Sequence, residues 1–312
     1  MATLGHGTAS PETRSPLVPF VAVLAVLSIS TASIFIRKCQ DDAPTLVIAA
    51  ARLGIATLIL APIAARRGRK LNIRARHVKY LIAAGAFLAA HFYLWIASLQ
   101  HTSVLNSVVI VATSPIIVGI SSALILRESM HRTLVIAIVL AAIGGVVIGL
   151  SDTDTHKASL QGDLLALGGA VAAAAYLLVG RKIRRELDII AYITPVYGAA
   201  ALILLLIALL TGHTFTGYRF DTYVYFILLA VIPQLLGHGS LNWLLRYLPA
   251  TTVAIVVVGE PVGSSILAYA ILGEGVSAMQ LGGGVLILAG LITASRAPVT
   301  PHSASDSRSI ER

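Results

Sequence analysis

Two charged side chains, Arg52 and Glu260, stand inside long apolar stretches of this sequence. A charge held in hydrocarbon costs about 2.5–3.5 kcal/mol or more, so each should face protein or water. Glu260 falls nine residues into its stretch, which is about 14 Å deep at the helical rise and near the middle of a bilayer. A carboxyl at that depth can exchange a proton with a cavity or hold a substrate ammonium; equally, it can tie helices together. Arg52 lies seven residues into its own stretch. Its planar fork suits a substrate carboxylate, and a structural ion pair or a lipid headgroup would suit it as well.

Uncharged polar residues recur at helical spacing around these two. His91 and Trp95 share one helix face, as do Gln234, His238 and Asn242. By helical rise, His91 sits about 10 Å from one membrane face and His238 about 8 Å from the other. Such stripes line a wet cavity, or they join helices through hydrogen bonds worth about 0.6–2 kcal/mol each. Tyr176 is an aromatic wall candidate or a packing residue. Pro115 and Pro261 each remove a helical hydrogen bond and free the carbonyls of Val111 and Val257, giving a kink that can act as a hinge. Ser107, Ser114 and Ser121 read as close helix contacts. Gly145 and Gly149, and the glycines at 282–284, read as tight packing within the fold or at a homodimer seam.

Other chemistry is missing from the pattern. Neither histidine has a carboxylate or cysteine at ligand spacing, so no metal is expected. No Walker A loop, HExxH, GxSxG or pair of intramembrane aspartates appears, and neither an enzyme nor a cofactor is expected. The single cysteine, Cys39, excludes an internal disulfide framework.

The elements that must position these residues follow from composition. Of 312 residues 57% are hydrophobic and 12% charged, with mean hydropathy +0.87; soluble domains carry about 25% charged residues, so lipid is the fitting solvent. Apolar runs fall at roughly 18–36, 45–65, 78–99, 104–126, 133–150, 162–179, 189–210, 223–245, 251–272 and 279–295. Most approach the ~20 residues of a membrane span, and their leucine and alanine content without strand alternation selects helices. Residues 1–17 lack a short apolar core with a small-residue cleavage site, so the run from Val18 is expected to be retained. With the N-terminus in the cytoplasm, 18 of the 23 lysines and arginines fall on the inner side and 4 on the outer, Arg52 lying within a span. That bias orients the chain with both termini inside. The net charge of +9 resides in these loops and forms no basic face for nucleic acid.

The chain also repeats itself. A shift of 146 residues lays Pro115 on Pro261, Glu128 on Glu274 and Gly144 on Gly290. Slips of one or two residues in the loops bring His91 onto His238 and Trp95 onto Trp243. Five spans per copy is an odd number, so the second copy enters from the opposite face, as inverted-repeat transporters do. The expected fold is therefore all-α and integral to the membrane, with ten transmembrane helices in two inverted five-helix repeats. Its parts are a cytoplasmic tail over 1–17, repeats over 18–150 and 162–295 joined by an external linker over 151–161, and a cytoplasmic tail over 296–312.

At this point the residues resemble a family. Pro115 with Arg127 and Glu128 and then Gly144-Gly145, and Pro261 with Gly273 and Glu274 and then the glycines at 282–284, are similar to the repeat ends of the drug/metabolite transporter superfamily, in its EamA branch. Arg52 and the pair Gly162-Asp163 match further points of that pattern; the halves differ where Ser114 precedes the first proline and Glu260 the second. The resemblance implies a secondary transporter in the inner membrane, exporting amino acids or related small polar metabolites. It also implies alternating access about a cavity walled by helices 1, 3, 4, 6, 8 and 9. Coupling to protons is the expectation attached to Glu260. A multidrug or nucleotide-sugar carrier is the alternative within the class, and a membrane enzyme acting on lipid-linked substrates the alternative outside it.

Overall fold

A computed structural model of the chain describes residues 15–102, 104–125, 131–150, 160–272 and 278–296. Among the described residues the secondary structure is helical, without strands. The helices are α1 (Val18–Gln40), α2 (Thr45–Arg67), α3 (Ala75–His101), α4 (Val104–Val111 and Ser114–Ile125) and α5 (Arg132–Leu150). In the second half lie α6 (Leu160–Arg184), α7 (Ile189–Leu210), α8 (Phe220–Leu244), α9 (Ala250–Val257 and Glu260–Leu272) and α10 (Ala278–Ser295). Seven helices are long and apolar enough to cross a bilayer, while the described parts of α4, α5 and α10 give shorter apolar stretches at 107–121, 132–147 and 281–290. Large apolar side chains such as Leu58, Ile82, Val146, Leu202 and Val285 face outward, while Arg52, Gln234, Asn242 and Glu260 are buried. That inside-out distribution suits a lipid surround.

The repeat is visible in element boundaries. The two pieces of α4 and the two of α9 begin 146 residues apart, as do α5 and α10. Packing repeats on exchange of the halves. α3 lies on α6 as α8 lies on α1, while α2 meets α7, α4 meets α9 and α5 meets α10. Gly144 and Gly290, partners in the repeat, make the α5–α10 crossing close: a Cβ on Gly144 would lie 2.6 Å from the Gly283 carbonyl, and one on Gly290 2.9 Å from that of Ala137. The GxxxG glycine Gly145 instead faces Val109 on α4.

Among the described residues four helices depart from regular α geometry, each for a local reason. In α4 and α9 the expected proline kinks are full interruptions. Pro115 and Pro261 occupy the second residue of the restarting helix, where a missing N–H is harmless. Before them the chain tightens, with Thr113 N–H donating to Ile110 O at 3.0 Å and Gly259 N–H to Val256 O at 3.1 Å. In α1 the hydroxyls of Ser30 and Thr31 donate to the carbonyls of Val26 (2.7 Å) and Ser28 (2.8 Å), and regular helix gives way between Ile29 and Ala32. In α8 the stretch Ala230–His238, which contains Pro233, is π-helical.

That π stretch relocates the slip in the repeat. α3 and α8 begin 145 residues apart, yet His91 and His238 are 147 apart. A π turn takes up about one residue more than an α turn, so nine residues absorb about two. The slip expected in a loop is inside a helix.

The loop ends are fastened by a second repeated pair. Asp42 accepts from Thr222 Oγ1 (2.7 Å) and from the Arg219 N–H (2.8 Å) at the start of α8. Glu186, 144 residues later, accepts from His77 Nε2 (3.0 Å) and Arg76 (2.7 Å) at the start of α3. The Thr222 hydroxyl and Arg219 N–H hold the Asp42 carboxyl below its ordinary range, and His77 with Arg76 does the same for Glu186. Two cations counted as loop charges are built into the fold instead: Arg184 Nε donates to Asn242 O (2.9 Å) and Arg181 to Leu245 O (2.8 Å), serving carbonyls at the end of α8. Arg127, Glu128, Gly273 and Glu274 lie outside the described residues.

Gly144→Leu should lower thermal stability in detergent by about 1–3 kcal/mol, because the α5 and α10 backbones must part. Gly54→Ala, with no atom within 4 Å of the added Cβ, should leave the unfolding temperature within error. Equal effects would refute the close α5–α10 crossing.

Candidate functional site

The irregular helices enclose a cavity. Its unfilled space is about 610 Å³, open end included, and α1, α3, α4, α6, α8 and α9 wall it, three from each half. The lining obeys the repeat: Ile29 with Ala173 and Ala32 with Tyr176 are 144 residues apart, and Val111 with Val257 and Ser114 with Glu260 are 146 apart. His91 with His238 adds a pair at 147. The cavity thus sits on the axis relating the halves. Its chemistry breaks that symmetry, since the repeat partner of Tyr176 is Ala32 and that of Glu260 is Ser114.

Each lining group is held in its own way. His91 donates Nδ1–H to the Gly169 carbonyl on α6 at 2.9 Å, and its ring lies parallel to Trp95, 3° apart at 6.0 Å between centroids. Tyr176 donates its hydroxyl to Asn242 Oδ1 at 2.7 Å, which fixes the ring against the lumen. His238 ends the π stretch and meets Phe92 edge-on at 5.1 Å. Glu260 is 7% exposed and opens the second piece of α9. Next to it, Ser264 Oγ donates to Ser30 O at 3.1 Å, joining the interruptions of α1 and α9. Among the described residues, two buried polar atoms of lining residues have no partner: Glu260 Oε1, an acceptor, and Trp95 Nε1, a donor.

Of the residues singled out from sequence, His91, Trp95, Tyr176, His238 and Glu260 reach the lining. Gln234 and Asn242 stand behind it. Asn242 supports Tyr176 and also donates to His238 O at 2.7 Å. Gln234 turns to Arg52, whose Nε donates to its Oε1 at 2.7 Å. Arg52 is fully buried off the cavity, its guanidinium stacked on Phe92 at 4.0 Å from the ring centre. Among the described residues neither an ion pair with Glu260 nor a bond to its Nη atoms satisfies it. Trp243, the repeat partner of Trp95, leans on Tyr247 at 4.4 Å and is not in the lining. Sequence reasoning missed Phe92 and Ser30. The run Ser28-Ile29-Ser30-Thr31 carried a signal, three hydroxyls in four apolar-context positions, whereas a cation–π partner leaves none. The two cavity histidines lie 6.4 Å apart between ring centres, and among the described residues no third His, Cys, Asp or Glu joins them as a metal-binding group.

Comparison with known proteins agrees with this arrangement. The sequence pattern of the EamA-like transporter family matches twice, over residues 17–150 and 160–296. "Uncharacterized transporter YyaM" of Bacillus subtilis (strain 168) is 25% identical over 233 residues, 73% of this chain and 76% of that protein. "Uncharacterized transporter YwfM" of the same organism is 26% identical over 235 residues, covering 74% and 77%. A solved crystal structure superposes with TM-score 0.75 at 15% identity, covering 89% of this chain and 96% of its own, which shows the same fold.

The geometry separates two neighbours on α8. In a Cys39→Ala background, His238→Cys should react with a membrane-impermeant thiol reagent. Asn242→Cys, at a site 1% exposed behind Tyr176, should stay unlabelled until the protein is denatured. Labelling of both at one rate would place the cavity wall elsewhere.

Proposed function

The chain belongs to the EamA-like transporter family, and on that premise we propose that it is a secondary transporter of small polar metabolites, amino acids and related compounds among them. In this reading it works by alternating access and exports across the inner membrane, with ten crossings and both termini cytoplasmic. One observation carries the proposal: a cavity on the repeat axis, lined by repeat-related residues from three helices of each half. A pathway that opens alternately to the two faces needs a site equivalent with respect to both, and a pseudo-two-fold axis supplies it. Interruptions beside the lining of α1, α4 and α9 give the helices points at which to bend.

Glu260 carries the coupling part of the proposal. It is buried in the wall of the cavity with one oxygen unpaired, near Arg52 and the two histidines. A proton and a substrate ammonium competing for that carboxyl would link the two fluxes as antiport. Purified protein in liposomes should move one or more members of a labelled amino-acid and metabolite panel, faster under an imposed pH gradient. Glu260→Gln should insert normally and lose the gradient dependence while keeping downhill exchange. No flux of any panel member would reject the proposed substrates, and an unchanged gradient dependence in the variant would reject the coupling role. Topology has its own check. A reporter fused after Arg312 should report cytoplasm and one at Thr153 the outer side; the opposite result at either site contradicts inversion.

A further inference from the structure

The lining of the cavity is chemically lopsided, and we propose that it is built for a net-cationic ligand: an ammonium seated at Glu260, with a neutral hydrogen-bond acceptor of the same molecule meeting Trp95 Nε1. The inference rests on reading this cavity as the transport site. No lysine or arginine is among the described residues that line it, and Glu260 is its sole acidic one. Among the described residues, Glu260 Oε1 and Trp95 Nε1 are the two buried atoms of lining residues without a partner, one an acceptor and the other a donor. Other buried polar atoms, Arg52 Nη1 and Nη2 and Gln234 Nε2 among them, also lack a partner among the described residues, but these two alone belong to residues that line the cavity, and a ligand there is what can pair them.

The nearby cation does not change this. Arg52 is withheld from the lumen, stacked on Phe92 and bonded to Gln234. A ligand carboxylate entering the cavity would therefore lose its hydration without meeting a positive side chain, which is costly in a buried site. A neutral carbonyl or hydroxyl loses far less and is a sufficient acceptor for an indole N–H. The parallel rings of His91 and Trp95 and the fixed ring of Tyr176 add π faces that attract an ammonium. Ile29, Val111, Val257 and Leu241 complete an apolar wall for the body of the molecule. An amino acid satisfies the Glu260 end of this site and leaves its carboxylate uncompensated; the corresponding amide satisfies both ends. The preferred cargo is thus an amine carrying an amide, ester or hydroxyl group.

The experiment measures binding to the purified full-length protein in nanodiscs. Alanine, leucine and phenylalanine are each presented as the free amino acid, the amino-acid amide and the N-acetyl amide, with the corresponding simple amine measured beside them. For at least one of the three skeletons, the amide should bind about tenfold or more tightly than both other forms, as expected for a hydrogen bond to a charged group. Glu260→Gln should erase the advantage of the amide over the N-acetyl amide, and Glu260→Asp, which keeps the charge, should retain part of it. Trp95→Phe should narrow the preference for the amide over the simple amine lacking the carbonyl. Free amino acids binding as tightly as their amides would overturn the proposal, and so would absence of binding by every cationic form. The comparison on the unsubstituted protein stands whether or not the variants fold. Since binding is read without flux, a failure of transport in liposomes and a failure of this ligand class are separate results.

Discussion

Hydrocarbon offers a backbone no hydrogen-bond partner, and the rest of this structure follows from that. A spanning helix can be broken only where protein or a wet lumen receives the freed groups. Here α1 gives way at Ser30 and Thr31, α4 after Val111, α9 after Val257, and α8 turns π-helical up to His238. Ile29 and Ala32, Val111 and Ser114, and Val257 and Glu260 flank the first three, and His238 ends the last; all seven line one cavity. The irregularities and the site are therefore a single feature. Pro115 and Pro261 make two of the breaks compulsory, and hydroxyl back-bonding makes the third.

On that frame the halves have diverged where chemistry matters. Their packing is exchangeable, α3 on α6 and α8 on α1, and the carboxylates of Asp42 and Glu186 fasten equivalent helix starts. Yet α3 runs as regular helix past His91 while its counterpart takes up two extra residues before His238. At equivalent repeat positions, serine in one half corresponds to glutamate in the other and alanine to tyrosine. The scaffold keeps the symmetry that the proposed alternating access would use, while the lining of the lumen departs from it. Arg52 lies off the lumen: its Nε bonds the Gln234 amide and its guanidinium stacks on Phe92, between α2, α3 and α8.

Much of this was legible in the residues. Apolar runs, the 146-residue repeat and the rarity of charge within spans located the helices and drew attention to Glu260, because each depends on composition and spacing alone. The helices that wall the cavity followed from family resemblance, and of the eight wall and charge candidates His91, Trp95, Tyr176, His238 and Glu260 are in the lining while Gln234, Asn242 and Arg52 are not. What stayed hidden depends on local geometry. The stripe Gln234, His238 and Asn242 looks uniform in helical projection, but only His238 reaches the lumen. Gln234 is claimed by Arg52 and Asn242 by Tyr176, contacts between residues 182 and 66 positions apart. The π stretch was equally silent, since its mark in the sequence, a two-residue slip, looks the same as an insertion in a loop.

The central claim is that the lumen on the repeat axis communicates with each side of the membrane in turn. Val111 and Val257 test it most directly, being repeat partners that flank two helix breaks and line that lumen. Single cysteines at the two positions, in a background without Cys39, can be exposed to a membrane-impermeant thiol reagent applied to one face of sealed vesicles at a time. The account predicts that each cysteine reacts from both faces, more slowly than an exposed loop control. Reaction of either position from one face only would contradict it.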